Sequence, residues 1–186
     1  PFEVFYAHKI TPDWTTGIGS WSDEDFVRAM QEGIWPEGQH YFPSFPYPAF
    51  SEMSKDDLLH LKNYLFSLPP IQRENQPHEL QFLFNLPLNA WLWNVFFHDP
   101  EPTTLNPNRS ISWNCGHYLT EAVVHCAECQ TPWNQLGVLW SDPAYAGAKE
   151  SPEGKINPKH HAWQRDWNWR LEPRRSNACS ADGDVT

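Results

Sequence analysis

The sequence predicts a mainly α protein, and three features carry that reading. Two segments, after Ser22 and after Ser54, open with a cap-forming serine and acidic residues and continue with apolar side chains at helical spacing. A third, residues 113–125, places Tyr118, Leu119 and Ala122 on one helical face. Between them, the 18 prolines of this 186-residue chain confine helices to short pieces joined by extended connections.

Residues 1–19 are turn-rich, with Thr11-Pro12-Asp13 and Gly17-Ile18-Gly19, and read as a surface loop. Ser22 is the expected N-cap of the first helix, with Asp23, Glu24 and Asp25 at its positive end and Phe26, Met30 and Ile34 on one face. Gly33 is the expected stop. Residues 36–48 hold four prolines and the aromatics Tyr41, Phe42, Phe45 and Tyr47, which predicts a rigid, ring-rich loop that is not helical. From Ser54 the chain carries Asp56 and Asp57 in a first turn and Leu58, Leu61 and Leu65 at helical spacing, until Pro69-Pro70 ends the helix. Residues 71–86 read as a linker and residues 90–97 as a short aromatic helix, followed by a loop through Asn108. In residues 113–125 Gly116 is expected to allow close packing. After Pro158 the tryptophans at 163, 167 and 169 and the arginines at 165, 170, 174 and 175 follow no period, and no regular structure is predicted there.

The formal net charge of −10 argues against a nucleic-acid-binding surface. The apolar stretch of residues 83–97 is interrupted by Asn85, Pro87, Asn89 and Asn94, so it makes no convincing transmembrane span. No export signal is visible, but the chain opens at Pro1 without an initiator methionine and is read as a piece of a longer protein. Eleven tryptophans beside only 19% charged residues suggest either a small core wrapped around a large flat apolar object or an accidental reading of DNA. The four cysteines, at 115, 126, 129 and 179, are too few and too uneven for a disulfide scaffold. The close pair is the informative one.

Cys126-Ala127-Glu128-Cys129-Gln130 has the spacing of a c-type haem attachment site. Two cysteine thiols add to the porphyrin vinyl groups, and two intervening residues bring both sulfurs to one edge of the ring. The following residue is ordinarily a histidine whose imidazole binds the iron. Here it is Gln130, whose amide is a weak, neutral ligand; His125 precedes the first cysteine and is expected to point elsewhere. Two other readings stand beside this one. Half of a zinc site would need two further ligands, for which His160, His161 and Cys179 are available. A redox pair would want a strand before it and a helix after it, whereas the preceding residues look helical and Thr131-Pro132 follows.

Beyond the cysteine pair, Trp113-Asn114, Gly116, Tyr118-Leu119, Glu121, His125-Cys126, Glu128-Cys129 and Thr131-Pro132 resemble the multihaem cytochrome c subunits of bacterial membrane-bound dehydrogenases. Upstream, Ile10-Thr11-Pro12-Asp13 and residues 17–26 resemble the middle of such a domain. Residues 41–47, Met53-Ser54 and residues 61–70 resemble its C-terminal portion. The resemblance spans residues 1–158. It implies two partial cytochrome c-like helical domains joined by a proline-rich linker: the end of one domain in 1–70, a linker with a short aromatic helix in 71–111, and the start of a second in 112–186 with an irregular tail from about 159.

The resemblance also implies the ligands. Met53 falls where the family places a methionine axial ligand, before the last helix, and the matching haem attachment motif would lie upstream of Pro1. His40 is the weaker alternative, and a core methionine packing before a helix is the bland reading of Met53. The aromatic loop at 41–47 would line the haem edge. In the second domain Cys126 and Cys129 would carry haem c and its iron, with Gln130 at the usual axial histidine position. Gln130, Cys115 and Trp133 depart from the family pattern, each by a single-base change, and the tail from Lys159 to Cys179 looks like a local frameshift. The expected function is electron transfer within a periplasmic dehydrogenase complex, membrane-associated through partners or segments outside this chain. The expected partners are a catalytic dehydrogenase subunit and other redox proteins or quinone, with no catalytic centre of the chain's own. The rivals are a structural module holding zinc at Cys126 and Cys129, and a non-functional fragment.

Overall fold

Each helix of the first half is set by its ends. The first, α1 (Asp23–Glu32), begins at a capping box. The Ser22 hydroxyl accepts from the Asp25 amide at 3.0 Å, and the Asp25 carboxylate accepts from the Ser22 amide at 3.2 Å. It ends at Gly33, whose φ of 68° lies in the left-handed region that favours glycine. Phe26, Ala29 and Met30 form its buried face. Ile34, expected on that face, lies beyond the stop and pairs instead with His40 in an isolated bridge. The computed structural model describes residues 6–42, 44–76, 87–132, 138 and 145.

The proline-rich loop is not wholly extended as expected: its last two residues open a single helical turn, α2 (Tyr47–Phe50). Pro48 is compatible with this because a first turn needs no amide donor. Next comes α3 (Lys55–Phe66), capped by Ser54, whose hydroxyl accepts from the Asp57 amide at 3.2 Å. Leu58 and Leu65 are buried as expected, whereas Leu61 is only half-buried. The buried stem of Lys62 ends in an ammonium that donates to the Trp21 carbonyl at 2.9 Å and to Asp23 Oδ1 at 2.7 Å, tying α3 to the start of α1.

Residues 71–76 form no regular element and are bonded to the N-terminal loop: the Arg73 amide donates to Thr16 Oγ1 at 3.2 Å, and the Lys9 amide to Asn75 Oδ1 at 3.0 Å. The aromatic helix is longer than the expected residues 90–97, because Pro87 begins its first turn: α4 spans Pro87–Phe97. It satisfies the end of α1. The last carbonyls of a helix lack partners within it, and here Asn94 Nδ2 donates to the Glu32 carbonyl at 2.7 Å while His98 Nε2 donates to the Gln31 carbonyl at 2.7 Å. Tyr47, fully buried, meets the rings of Trp93 and His98 edge-on at 6.1 and 4.8 Å.

The chain divides into two units, Pro1–Pro102 and Thr103–Thr186, and all of these elements belong to the first. In the second, Ser110 caps α5 (Ile111–Tyr118), a π-helical turn follows over Leu119–Val123, and α6 covers Cys126–Gln130. The helix expected over 113–125 is thus present, starting at Ile111 and running through α5 and the π turn to Val123. The Thr120 hydroxyl donates to the carbonyls of Gly116 and His117, at 2.9 and 3.0 Å, competing with the α-helical ladder where it gives way to the π turn. Ala122 is fully buried, but Gly116 is exposed and a Cβ there would meet nothing within 4 Å, so it serves no close packing among the described residues. Among the described residues the chain is helical without strands, and no helix is long and apolar enough to cross a membrane. Residues 77–86 of the expected linker, and the irregular tail from about 159, lie outside the described residues.

Two consequences are measurable. Gly33→Ala combines left-handed backbone strain with a clash against Tyr47 and should destabilise the chain by about 1–3 kcal/mol, read from the midpoint of urea unfolding. An unchanged midpoint would remove Tyr47 from that contact. Burial holds the pKa of His98 below its ordinary value of 6.5, so the folded state prefers the neutral ring that donates to Gln31. Its stabilisation is present above pH 6.5 and is lost as pH falls through the lower, folded-state pKa. Thermal melts below pH 6.5 should show this loss, and His98→Gln should flatten it.

Candidate functional site

The cysteine pair sits on a turn of its own. After the π turn, His125 adopts φ 44° and ψ 43°, which redirects the chain, and the Glu128 amide donates to its carbonyl at 3.1 Å to start α6. At the other end Thr131 is extended, as the residue before Pro132 must be, and its amide still closes onto the Ala127 carbonyl at 2.9 Å. Thr131 is buried, and its hydroxyl accepts from the Tyr145 amide at 3.1 Å. A helix of five residues is thereby held at both ends.

Three residues apart on this turn, Cys126 and Cys129 lie on neighbouring positions of one face, Cys126 half-buried and Cys129 exposed, both as thiols. Gln130 is the last residue of α6, one turn beyond Cys126, and half-buried. Cys115 lies in α5 and Trp133 outside the described residues. The His125 imidazole lies on the side of Glu128, Nδ1 at 3.6 Å from Oε2. Burial pushes the Glu128 carboxyl up to about 7. Glu121 accepts from the Tyr145 hydroxyl and faces His117 Nδ1 at 3.8 Å.

Two thiols on one turn suit a double covalent attachment. Gln130 offers an amide and no imidazole, and an amide is a weak, neutral donor for iron. Among the described residues no group of three or more His, Cys, Asp or Glu side chains is placed to hold a metal ion. The further zinc ligands considered, His160, His161 and Cys179, lie outside the described residues.

Met53 belongs to the first unit. It is 5% exposed, in the turn between α2 and α3, with its amide donating to the Phe50 carbonyl at 3.0 Å and its carbonyl accepting from Gln31 Nε2 at 2.8 Å. Backbone polar groups are thus satisfied, and the thioether is the donor it offers. The aromatic loop forms a run of rings, Trp35 on Tyr41 at 4.8 Å, Tyr41 on Phe45 at 4.9 Å and Phe45 on Phe50 at 5.7 Å. Burial lowers the pKa of His40, whose buried Nδ1 has no hydrogen-bond partner among the described residues. Sequence reasoning does not find Gln31. An amide on the edge of an amphipathic helix carries no signal, and its partner is 22 residues away.

In the haem-free chain, iodoacetamide should modify the exposed Cys129 before the half-buried Cys126, followed by peptide mass spectrometry; the reverse order would contradict the orientation of α6.

No protein-family model matches the chain. It is 41% identical over 146 residues to a subunit of the nicotinate dehydrogenase of Pseudomonas putida, a match covering 78% of this chain and 12% of that protein. It is 36% identical over 154 residues to a diheme cytochrome c-type protein of Cereibacter sphaeroides, covering 83% of this chain and 51% of the relative. The cytochrome c subunit of a quinone alcohol dehydrogenase from Gluconacetobacter polyoxogenes is 30% identical over 134 residues, which are 71% of this chain and 29% of the relative. The chain therefore spans at most about half the length of these relatives. Helical around a Cys-x-x-Cys turn, the chain thus has homologues over most of its length among the cytochrome c subunits of bacterial dehydrogenases.

Proposed function

We propose that this chain is part of an electron-carrying subunit of a periplasmic dehydrogenase complex, with haem c covalently bound through Cys126 and Cys129 and a second haem ligated by Met53. The observation that carries the reading is the single helical turn presenting both thiols, in a chain similar to a diheme cytochrome. When bound, haem c supplies a one-electron couple at its iron. The protein supplies ligands, orientation and dielectric.

Its own residues divide that work. Cys126 and Cys129 anchor one edge of a macrocycle, and the capped ends of α6 at His125 and Thr131 fix the direction in which they do so. Gln130 leaves the anchored group without a strong axial donor, which weakens ligation at the second site. In the first unit Met53 offers a buried thioether in the turn between α2 and α3. The acidic residues at helix starts act as caps and dipole partners, with electrons arriving from a catalytic dehydrogenase subunit. Electrons leave to another redox protein or to quinone, the acceptor in the name of one relative. On this reading the complex works in the periplasm, held at the cytoplasmic membrane through its partners.

The test is intact-mass spectrometry of the chain, exported and matured with the haem attachment machinery, beside its Gln130→His version. The histidine version should gain the mass of one haem and a sharp Soret band, and the Gln130 chain should gain less. If neither gains haem, the attachment reading of Cys126 and Cys129 fails.

A further inference from the structure

Gln31 is bonded at both ends. Its carbonyl, left open at the end of α1, accepts from His98 Nε2 at 2.7 Å, and its side-chain amide crosses to the Met53 carbonyl at 2.8 Å. The Met53 amide closes a turn onto the Phe50 carbonyl at 3.0 Å, and the next residue, Ser54, is committed as the cap of α3. The backbone of Met53 is therefore held from before, from after and from across. This matters for the side chain because the Cα–Cβ direction follows from the backbone dihedrals, and the sulfur lies at the end of a flexible chain. A thioether is a weak ligand, so its hold on iron depends on being presented in place.

We propose that Gln31 is a positioning residue for Met53: its amide fixes the turn that offers the thioether to haem iron and so sets how readily other ligands displace it. This rests on the reading of Met53 as an axial ligand. Outer groups that orient a ligand commonly control its affinity, although they never touch the metal. The bond from His98 extends the support to α4, whose Asn94 closes the neighbouring carbonyl of Glu32 at 2.7 Å.

The experiment uses the whole haem-loaded protein and measures three quantities: the near-infrared sulfur-to-iron charge-transfer band, the reduction potential, and imidazole binding to the ferric form. Met53→Leu tests the underlying reading. It should remove one component of the band, lower one potential and open one haem to imidazole. Gln31→Met, similar in shape but without the donor, should keep the band and let imidazole displace Met53 about fivefold more readily, the equivalent of one net hydrogen bond. Gln31→Glu, which sets a carboxylate against the Met53 carbonyl, should have the larger effect. Ser22→Ala, at the far end of α1, weakens the same helix and should leave imidazole binding unchanged.

If Met53→Leu has its effect and both Gln31 variants bind imidazole like the parent, the positioning role is overturned while the ligand stands. Equal effects of Ser22→Ala and Gln31→Met would also overturn it, since general destabilisation would then suffice. If Met53→Leu changes nothing, Met53 is no ligand and both readings fall together.

Discussion

Tyr47 lies so close against the backbone of Gly33 that a Cβ at that position would come within 2.8 Å of its ring carbons, and the first unit is arranged around that approach. Gly33 must end α1 in the left-handed region, and it must also lack a side chain; one residue type meets both demands. With the ring fully buried there, α2 is fixed against α1, and the edges of Trp93 and His98 find their place on the same ring. Asn94 and His98 can then reach the open carbonyls of α1. The turn carrying Met53 follows α2 directly, so its position descends from the same contact.

The parts of this arrangement that are legible in the sequence are those decided by neighbours along the chain. Ser22 and Ser54 cap because a hydroxyl and an amide three residues on are brought together by the first turn itself. Gly33 stops α1 for an equally local reason. The turn at Tyr47 is hidden because proline in a first helical turn looks, in sequence, like proline that forbids a helix. Pro87 misleads in the same way at the start of α4. Composition alone suggests close packing at Gly116, whereas a Cβ there would meet nothing within 4 Å, and the passage from α5 into the π turn, where the Thr120 hydroxyl engages the carbonyls of Gly116 and His117, carries no signal in composition. Gln31 is invisible because its meaning lies in a partner 22 residues away.

On the proposed reading Cys126 and Cys129 stand out in the sequence for a different reason: two covalent bonds to one edge of a ring would impose a spacing whatever the surrounding fold. What spacing cannot show is how the turn is held. A left-handed His125 and a buried Thr131 bound the helix, and a Glu128 carboxyl raised to about 7 by burial lies between the thiols in sequence. The short helix is therefore shaped by its flanks, not by its own five residues.

On the proposed reading, anchoring and ligation are separate jobs, and the two units divide differently between them. Thioether bonds need only the two thiols, which α6 supplies, so replacing the axial histidine by Gln130 removes none of the anchoring chemistry. Iron ligation needs a donor held in place, and the second unit has exchanged its strong donor for an amide. The first unit shows the complementary case. Its donor, Met53, is intrinsically weak, and the chain holds its backbone at both polar groups, the carbonyl accepting from the Gln31 side-chain amide and the amide donating to the Phe50 carbonyl. A weak ligand is sustained by such support, and an imidazole needs less of it. Gln130→His thus restores a site by changing one donor, whereas a change at Met53 must contend with the whole network that presents it.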